Sequence, residues 1–238
     1  MTSEPEPEPD PDAEPLLTAT DLSVGYGGEP VCAPVSLAML PGTAVGLVGP
    51  NGAGKSTVLQ TMVGLLPALA GTVTFAGQPV DERSAEFRRA VAGVLDDDAF
   101  FPSLTGAEHL LLTARAHGVA DAEQVVADEL ATFGLTERAG ALPSALSSGQ
   151  RRRLALAGAL VRPARLLVLD EPERRLDTAM RRALADRLAQ LVAAGATVLF
   201  ASHDPAFLGT LADAVLVVAE DECRLVEPAD AVADLREG

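Results

Sequence analysis

The stretch Gly49-Pro50-Asn51-Gly52-Ala53-Gly54-Lys55-Ser56-Thr57 constrains this 238-residue chain more than any other. The small apolar run Ala44–Val48 leads straight into it. Val58, Leu59, Met62 and Val63 follow at helical spacing, and Pro67 ends that pattern. A strand that turns through three glycines into a helix can wrap its backbone around an anion, because no Cβ obstructs Gly49, Gly52 or Gly54. Its N–H groups point inward and the helix adds its positive end. Lys55 supplies a charge for the β- and γ-phosphates of a nucleoside triphosphate, and the Ser56 hydroxyl is a candidate Mg²⁺ ligand. Residues 49–57 together are the expected cradle.

A second feature completes the chemistry. Residues 166–169, all apolar, end in Asp170-Glu171-Pro172. Acids at the C-terminal end of a buried strand face the crevice where open α/β sheets bind ligands. Asp170 suits a hard cation and its water shell. Glu171 suits a general base that polarises an attacking water. His203 follows another apolar strand, residues 198–202, and is placed either to reach the terminal phosphate and water or to serve structure alone.

The remainder reads as strands alternating with helices. Residues 16–26 and 35–40 are expected strands, residues 55–66 a helix, and 72–75 a strand followed by a turn at 76–79. Residues 87–146 read as mostly helical, 148–161 and 178–194 as helices, and 215–218 with 224–226 as a closing hairpin. This is an α/β chain with a mostly parallel sheet covered on both faces, an N-terminal antiparallel portion and an inserted helical lobe at about 87–162. Residues 1–15 alternate acid with proline and are expected to be a disordered tail before a domain at 16–238.

Composition narrows the partners. The net charge of −16 argues against a nucleic-acid backbone as partner. The exception is Arg151-Arg152-Arg153, which reads as a solvated helix face. No apolar run reaches the roughly 18–20 residues that span a bilayer. The acidic N-terminus is unlike a secretory signal. The expectation is a cytoplasmic chain whose membrane contact comes through a partner. Cys32 and Cys223 are far apart in sequence and receive no role.

Leu146-Ser147-Ser148-Gly149-Gln150, lying ahead of the acidic strand and combined with the phosphate loop and residues 200–204, resembles the signature of ABC-family ATPases over about residues 16–226. The resemblance implies a P-loop NTPase fold, ATP and Mg²⁺ as ligands, and two nucleotide domains packed head to tail. Each ATP would lie between one copy's phosphate loop and the other's Ser147, Ser148, Gly149 and Gln150. It further implies Glu171 as catalytic base, His203 as switch histidine, Tyr26 stacking on adenine and Asp177 touching the opposite site. A separate membrane permease would dock on the helical lobe, with residues 100–105 as a candidate contact. The compact length leans toward export-type subunits.

Two departures stand out. The family's glutamine before the lobe is missing from Gly93-Val94-Leu95-Asp96-Asp97-Asp98, so Asp96 or Asp97 takes its place and Asp97 becomes a candidate magnesium contact. Glu173-Arg174-Arg175 stands where the family has small or polar residues. The alternatives are an ABC ATPase outside transport, and a weakly catalytic partner in a heterodimer.

Overall fold

The computed structural model describes residues 14–95 and 100–237. The candidate metal contact Asp97, with Asp96 and Asp98, lies outside the described residues. The N-terminal half runs β1 (Leu17–Ser23), β2 (Gly25–Tyr26), β3 (Glu29–Pro30), β4 (Val35–Met39), β5 (Ala44–Val48) and α1 (Lys55–Met62). It continues through β6 (Ala70–Phe75), β7 (Gln78–Pro79), α2 (Ala85–Ala90) and β8 (Val91–Val94). A helical segment follows: α3 (Gly106–Ala116), α4 (Ala122–Thr132) and α5 (Ser148–Leu160). The chain then alternates β9 (Leu166–Asp170), α6 (Thr178–Ala193), β10 (Thr197–Ala201) and α7 (Pro205–Leu211). It closes with β11 (Ala214–Val217), β12 (Arg224–Val226) and α8 (Pro228–Glu237).

Two sheets form. The larger has the order β12-β11-β5-β10-β9-β8 and is parallel throughout except for the edge strand β12. The smaller, β4-β1-β6-β7, is antiparallel. Burial follows from this difference. Every residue of β5 and β10 is buried, as parallel strands covered on both faces require, whereas β4 alternates buried with exposed. Side chains of the large sheet alternate between two cores. Val48, Leu167, Leu169, Val198 and Phe200 pack with the helical lobe, α6 and α7. Val45, Leu47, Leu166, Val168 and Leu199 pack with α1 and the small sheet.

Three elements differ from the sequence expectation. Helix α1 stops at Met62 because Gly64 takes φ 79° and Leu65 N–H donates to the Gln60 carbonyl, a Schellman ending, well before Pro67. Residues 91–94 are not helical; β8 pairs with β9 and belongs to the main sheet. Gln78–Pro79 is not only a turn, since it adds the short strand β7 to β6. No helix among the described residues is long and apolar enough to cross a membrane.

Candidate functional site

Strands β5, β10 and β9 are parallel neighbours, so their C-terminal ends share one edge of the sheet. That register brings residues 49–55, Asp170–Glu171 and Ser202–His203 into one crevice, as the acid and phosphate-loop patterns predict.

The loop's shape depends on two glycines. A Cβ at Gly49 would stand 2.2 Å from the Val218 carbonyl oxygen. Gly54, the N-cap of α1, has φ 94°, and a Cβ there would meet Val31 at 2.7 Å. No side chain caps α1, so its first amides keep their donors for an anion. Lys55 is 6% exposed, and its Nζ donates to the Gly49 and Pro50 carbonyls at 2.8 and 3.0 Å. Burial lowers its pKa, opposed by the Glu171 and Asp170 carboxylates.

Asp170 faces this lysine. Burial raises its pKa, against a hydrogen bond from the Ser56 hydroxyl. The two predicted metal ligands from the loop and the acidic strand are therefore in contact. Glu171 adopts φ 43°, a left-handed conformation that costs a residue with a Cβ about 1–3 kcal/mol. Its N–H donates to the Ala201 carbonyl at 3.0 Å, and its own carbonyl accepts from Arg152 Nη2 and from the Arg174 N–H, both at 3.0 Å. Its carboxylate lies 3.6 Å from His203 Nε2 on one side and 3.6 Å from Arg174 Nη1 on the other. Both separations exceed hydrogen-bond length. His203 Nε2 is buried without a hydrogen bond. Burial and Lys55 lower the pKa of the ring, against the pull of Glu171 and Asp170, so it is neutral at pH 7.

The signature turn is built differently. Ser147 Oγ accepts from the Gln150 N–H, and Gln150 Oε1 accepts from the Ser147 N–H, a closed capping box at the start of α5. Ser148 is exposed. Gly149 packs its backbone against the Arg175 carbonyl, where a Cβ would stand 3.0 Å away. The turn thus leans on the loop after β9. Asp177 caps α6 through a 2.8 Å bond from the Met180 N–H, which gives its carboxylate a local structural partner. Tyr26 is 57% exposed on the β2–β3 ribbon, and Val31, just after that ribbon, abuts Gly54.

The reading of Arg151–Arg153 as a solvated face needs correcting. Arg152 is 8% exposed, and its Nη2 donates to the carbonyls of both Asp170 and Glu171. Arg151 and Arg153 donate to the Leu146 and Phe133 carbonyls. All three therefore have backbone partners. Sequence reasoning noted Glu173 only as a departure and missed its pairing with Ser202. Both are buried and joined at 2.5 Å, and no local pattern announces a pair 29 residues apart. The two cysteines, distant in sequence, are neighbours in space; burial and Cys223 push the Cys32 thiol up to about 12.

Comparison with known proteins agrees with this geometry. The family model described as ABC transporter matches residues 32–174. An uncharacterized ABC transporter ATP-binding protein of Sinorhizobium fredii is 34% identical over 87% of the chain and 61% of its own length. The linearmycin resistance ATP-binding protein of Bacillus subtilis is 31% identical over 87% of the chain and 67% of its length. The Nod factor export ATP-binding protein I of Burkholderia orbicola is 38% identical over 82% and 65%. The chain therefore spans about two thirds or less of these curated relatives. A solved structure titled as the ATP binding subunit of an ABC transporter superposes with TM-score 0.82 at 28% identity, covering 94% of this chain and 95% of that one. The span matched by the family model contains the phosphate loop, the signature turn and both acids, and the chain belongs to the ABC transporter family of ATP-binding proteins.

Proposed function

We propose that this chain binds and hydrolyses ATP and that the hydrolysis energises a separate membrane permease. The observation that carries the reading is the crevice itself. An uncapped helix N-terminus, a buried lysine, a serine–aspartate pair and a glutamate–histidine pair meet at one sheet edge.

The free amides among residues 49–57 and the Lys55 ammonium hold the β- and γ-phosphates, and Lys55 exchanges its two carbonyl partners for phosphate oxygens. Ser56 and Asp170 offer two hard oxygens. Among the described residues no cluster of three or more His, Cys, Asp or Glu side chains is ready to hold a metal. That donor set fits Mg²⁺, which takes one or two protein oxygens and completes its shell with phosphate and water. Bound there, Mg²⁺ would neutralise charge on the phosphates. Glu171 accepts a proton from the attacking water as the water oxygen bonds to the γ-phosphorus and the bond to the β-phosphate oxygen breaks. His203, neutral and with Nε2 free of a hydrogen bond, donates to the γ-phosphate.

Ser148 and the remaining free amides of the signature turn form the second, weaker anion site, which completes the crevice of another copy in a head-to-tail dimer. The permease docks on the helical lobe. Phe101 supports this docking because it is 60% exposed, while its neighbour Phe100 packs into the lobe core. The chain would then sit on the inner membrane face through that partner. A relative named for Nod factor export favours export. The test is the Glu171→Gln chain mixed with ATP and Mg²⁺: the expected result is a stable dimer by light scattering with no phosphate release. A monomer under those conditions would rule out the shared site.

A further inference from the structure

Glu173 is a buried carboxyl for which the proposed hydrolysis has no use. It lies two residues beyond Glu171, is 6% exposed, and reaches across to the end of β10. Its Oε1 accepts from the Ser202 hydroxyl at 2.5 Å and faces the His203 backbone N–H at 3.4 Å. Ser202 Oγ donates to Glu173 and also accepts from the Asp204 N–H at 3.0 Å, so one hydroxyl bridges the two. The Ser202–Asp204 turn is anchored on its far side as well. Asp204 caps α7 through the Ala206 and Phe207 N–H groups and pairs with Arg181. Glu173 is the side chain that ties this turn to the loop carrying Glu171.

What that tie positions is the ring of His203. Its Nε2 sits 3.6 Å from Glu171 Oε1, close enough to share a phosphate oxygen or a water with it but not bonded to it. A shift of about 1 Å in such a pair costs about 100-fold in rate. We propose that Glu173 is a positioning residue for hydrolysis, holding the Ser202–His203 turn so that the His203 imidazole and the Glu171 carboxylate face the same reacting atoms. This rests on the hydrolysis reading above. The carboxyl also sits in an environment suited to a static role. Burial, with the nearby Asp204 charge, raises its pKa against the hydrogen bonds it accepts, and Oε2 is buried with no hydrogen-bond partner.

The test uses the full chain with ATP and Mg²⁺ in four forms: wild type, Glu173→Ala, Glu173→Gln and Glu173→Ala combined with His203→Ala. Glu173→Ala should lower kcat by up to about tenfold, the cost of losing the His203 imidazole itself, while KM and the ATP Kd stay within about twofold. Glu173→Gln keeps an acceptor oxygen for Ser202 and His203 and should recover most of the loss. In a His203→Ala background, Glu173→Ala should cost nothing further. A second readout does not need turnover. The His203 ring, assigned by its loss in His203→Ala, is titrated by NMR. Its midpoint, facing Lys55, Glu171 and Asp170, should move up toward the ordinary histidine value in Glu173→Ala and stay put in Glu173→Gln. Wild-type turnover with an unaffected Glu173→Ala would overturn the inference, as would a full additional loss in the His203→Ala background. A wild type without turnover sinks the hydrolysis reading instead, and the NMR titration then decides Glu173 alone: an unmoved midpoint rejects it.

Discussion

Two helix N-termini in this molecule open on glycine-containing turns, and they are finished in opposite ways. At α1 the N-cap is Gly54 in a left-handed conformation, with no side chain to take up the first amides and no room for one beside Val31. At α5 the N-cap is Ser147, and its capping box with Gln150 already satisfies two amides. The first terminus keeps all its donors for an external anion and has a lysine, a serine and two acids around it. The second has fewer donors left and rests on the loop after β9. On the proposed reading the difference is a division of labour: α1 would capture the triphosphate, and α5 would complete a site that something else has already filled.

The sharpest way to break that division is at Glu171, the proposed base, which sits beside the α1 crevice. Glu171→Gln should reduce phosphate release about 100- to 10,000-fold with ATP affinity retained. Equal loss of binding, measured by equilibrium titration, would mean that the acid helps hold the nucleotide. Next in size is Lys55→Met. The lysine is buried and its carbonyl partners are replaceable by phosphate. The expected loss is about 100-fold in ATP Kd, or about 2.8 kcal/mol, by the same titration. A chain that still binds ATP with wild-type affinity would move the capture site away from α1.

How much of this was legible follows from how far each contact reaches along the chain. Residues 49–57 are contiguous, and their strand-loop-helix context is local, so the cradle could be read directly. The convergence of Asp170, Glu171 and His203 could also be read, because apolar strands ending in polar residues share an edge once the sheet is parallel. The Arg152 clamp on the Asp170 and Glu171 carbonyls could not. An arginine triplet on a helix reads as solvated until the helix is known to lean on β9. The same holds for Glu129, buried at 3% and paired with Arg187 across 58 residues, which braces α4 against α6. Strand β8 was hidden because four residues of modest apolarity lie between α2 and α3, and only pairing with β9 makes them a strand.

A third effect, smaller, separates the two termini by pH. His203 stands over the α1 crevice with its pKa below the ordinary 6.5, lowered first by burial and then by Lys55. A depressed histidine stabilises its turn above the unfolded value, and that stability is lost as pH falls through the folded value. Turnover should therefore hold across neutral pH and decline only as pH falls through a value below that of an ordinary histidine. His203→Gln should remove that acid limb in a pH–rate profile, at a cost of about tenfold in kcat near neutrality. An unchanged limb would assign the titration to another group.

The smallest expected effect tests the α5 side directly. Ser147→Ala removes the acceptor for the Gln150 N–H and half of the capping box. Loss of an N-cap side chain costs about 1 kcal/mol. For a chain of this size that is a fall of about 2–4 °C in Tm by calorimetry. The division of labour makes a second demand of the same variant. If nucleotide capture belongs to α1, the ATP Kd of the isolated chain should change by less than about twofold, within the scatter of a surface substitution. Any larger change in Kd would show that the signature turn reaches the nucleotide of its own subunit. The two termini would then form one site within a single chain, and the need for a second copy to complete the crevice would disappear.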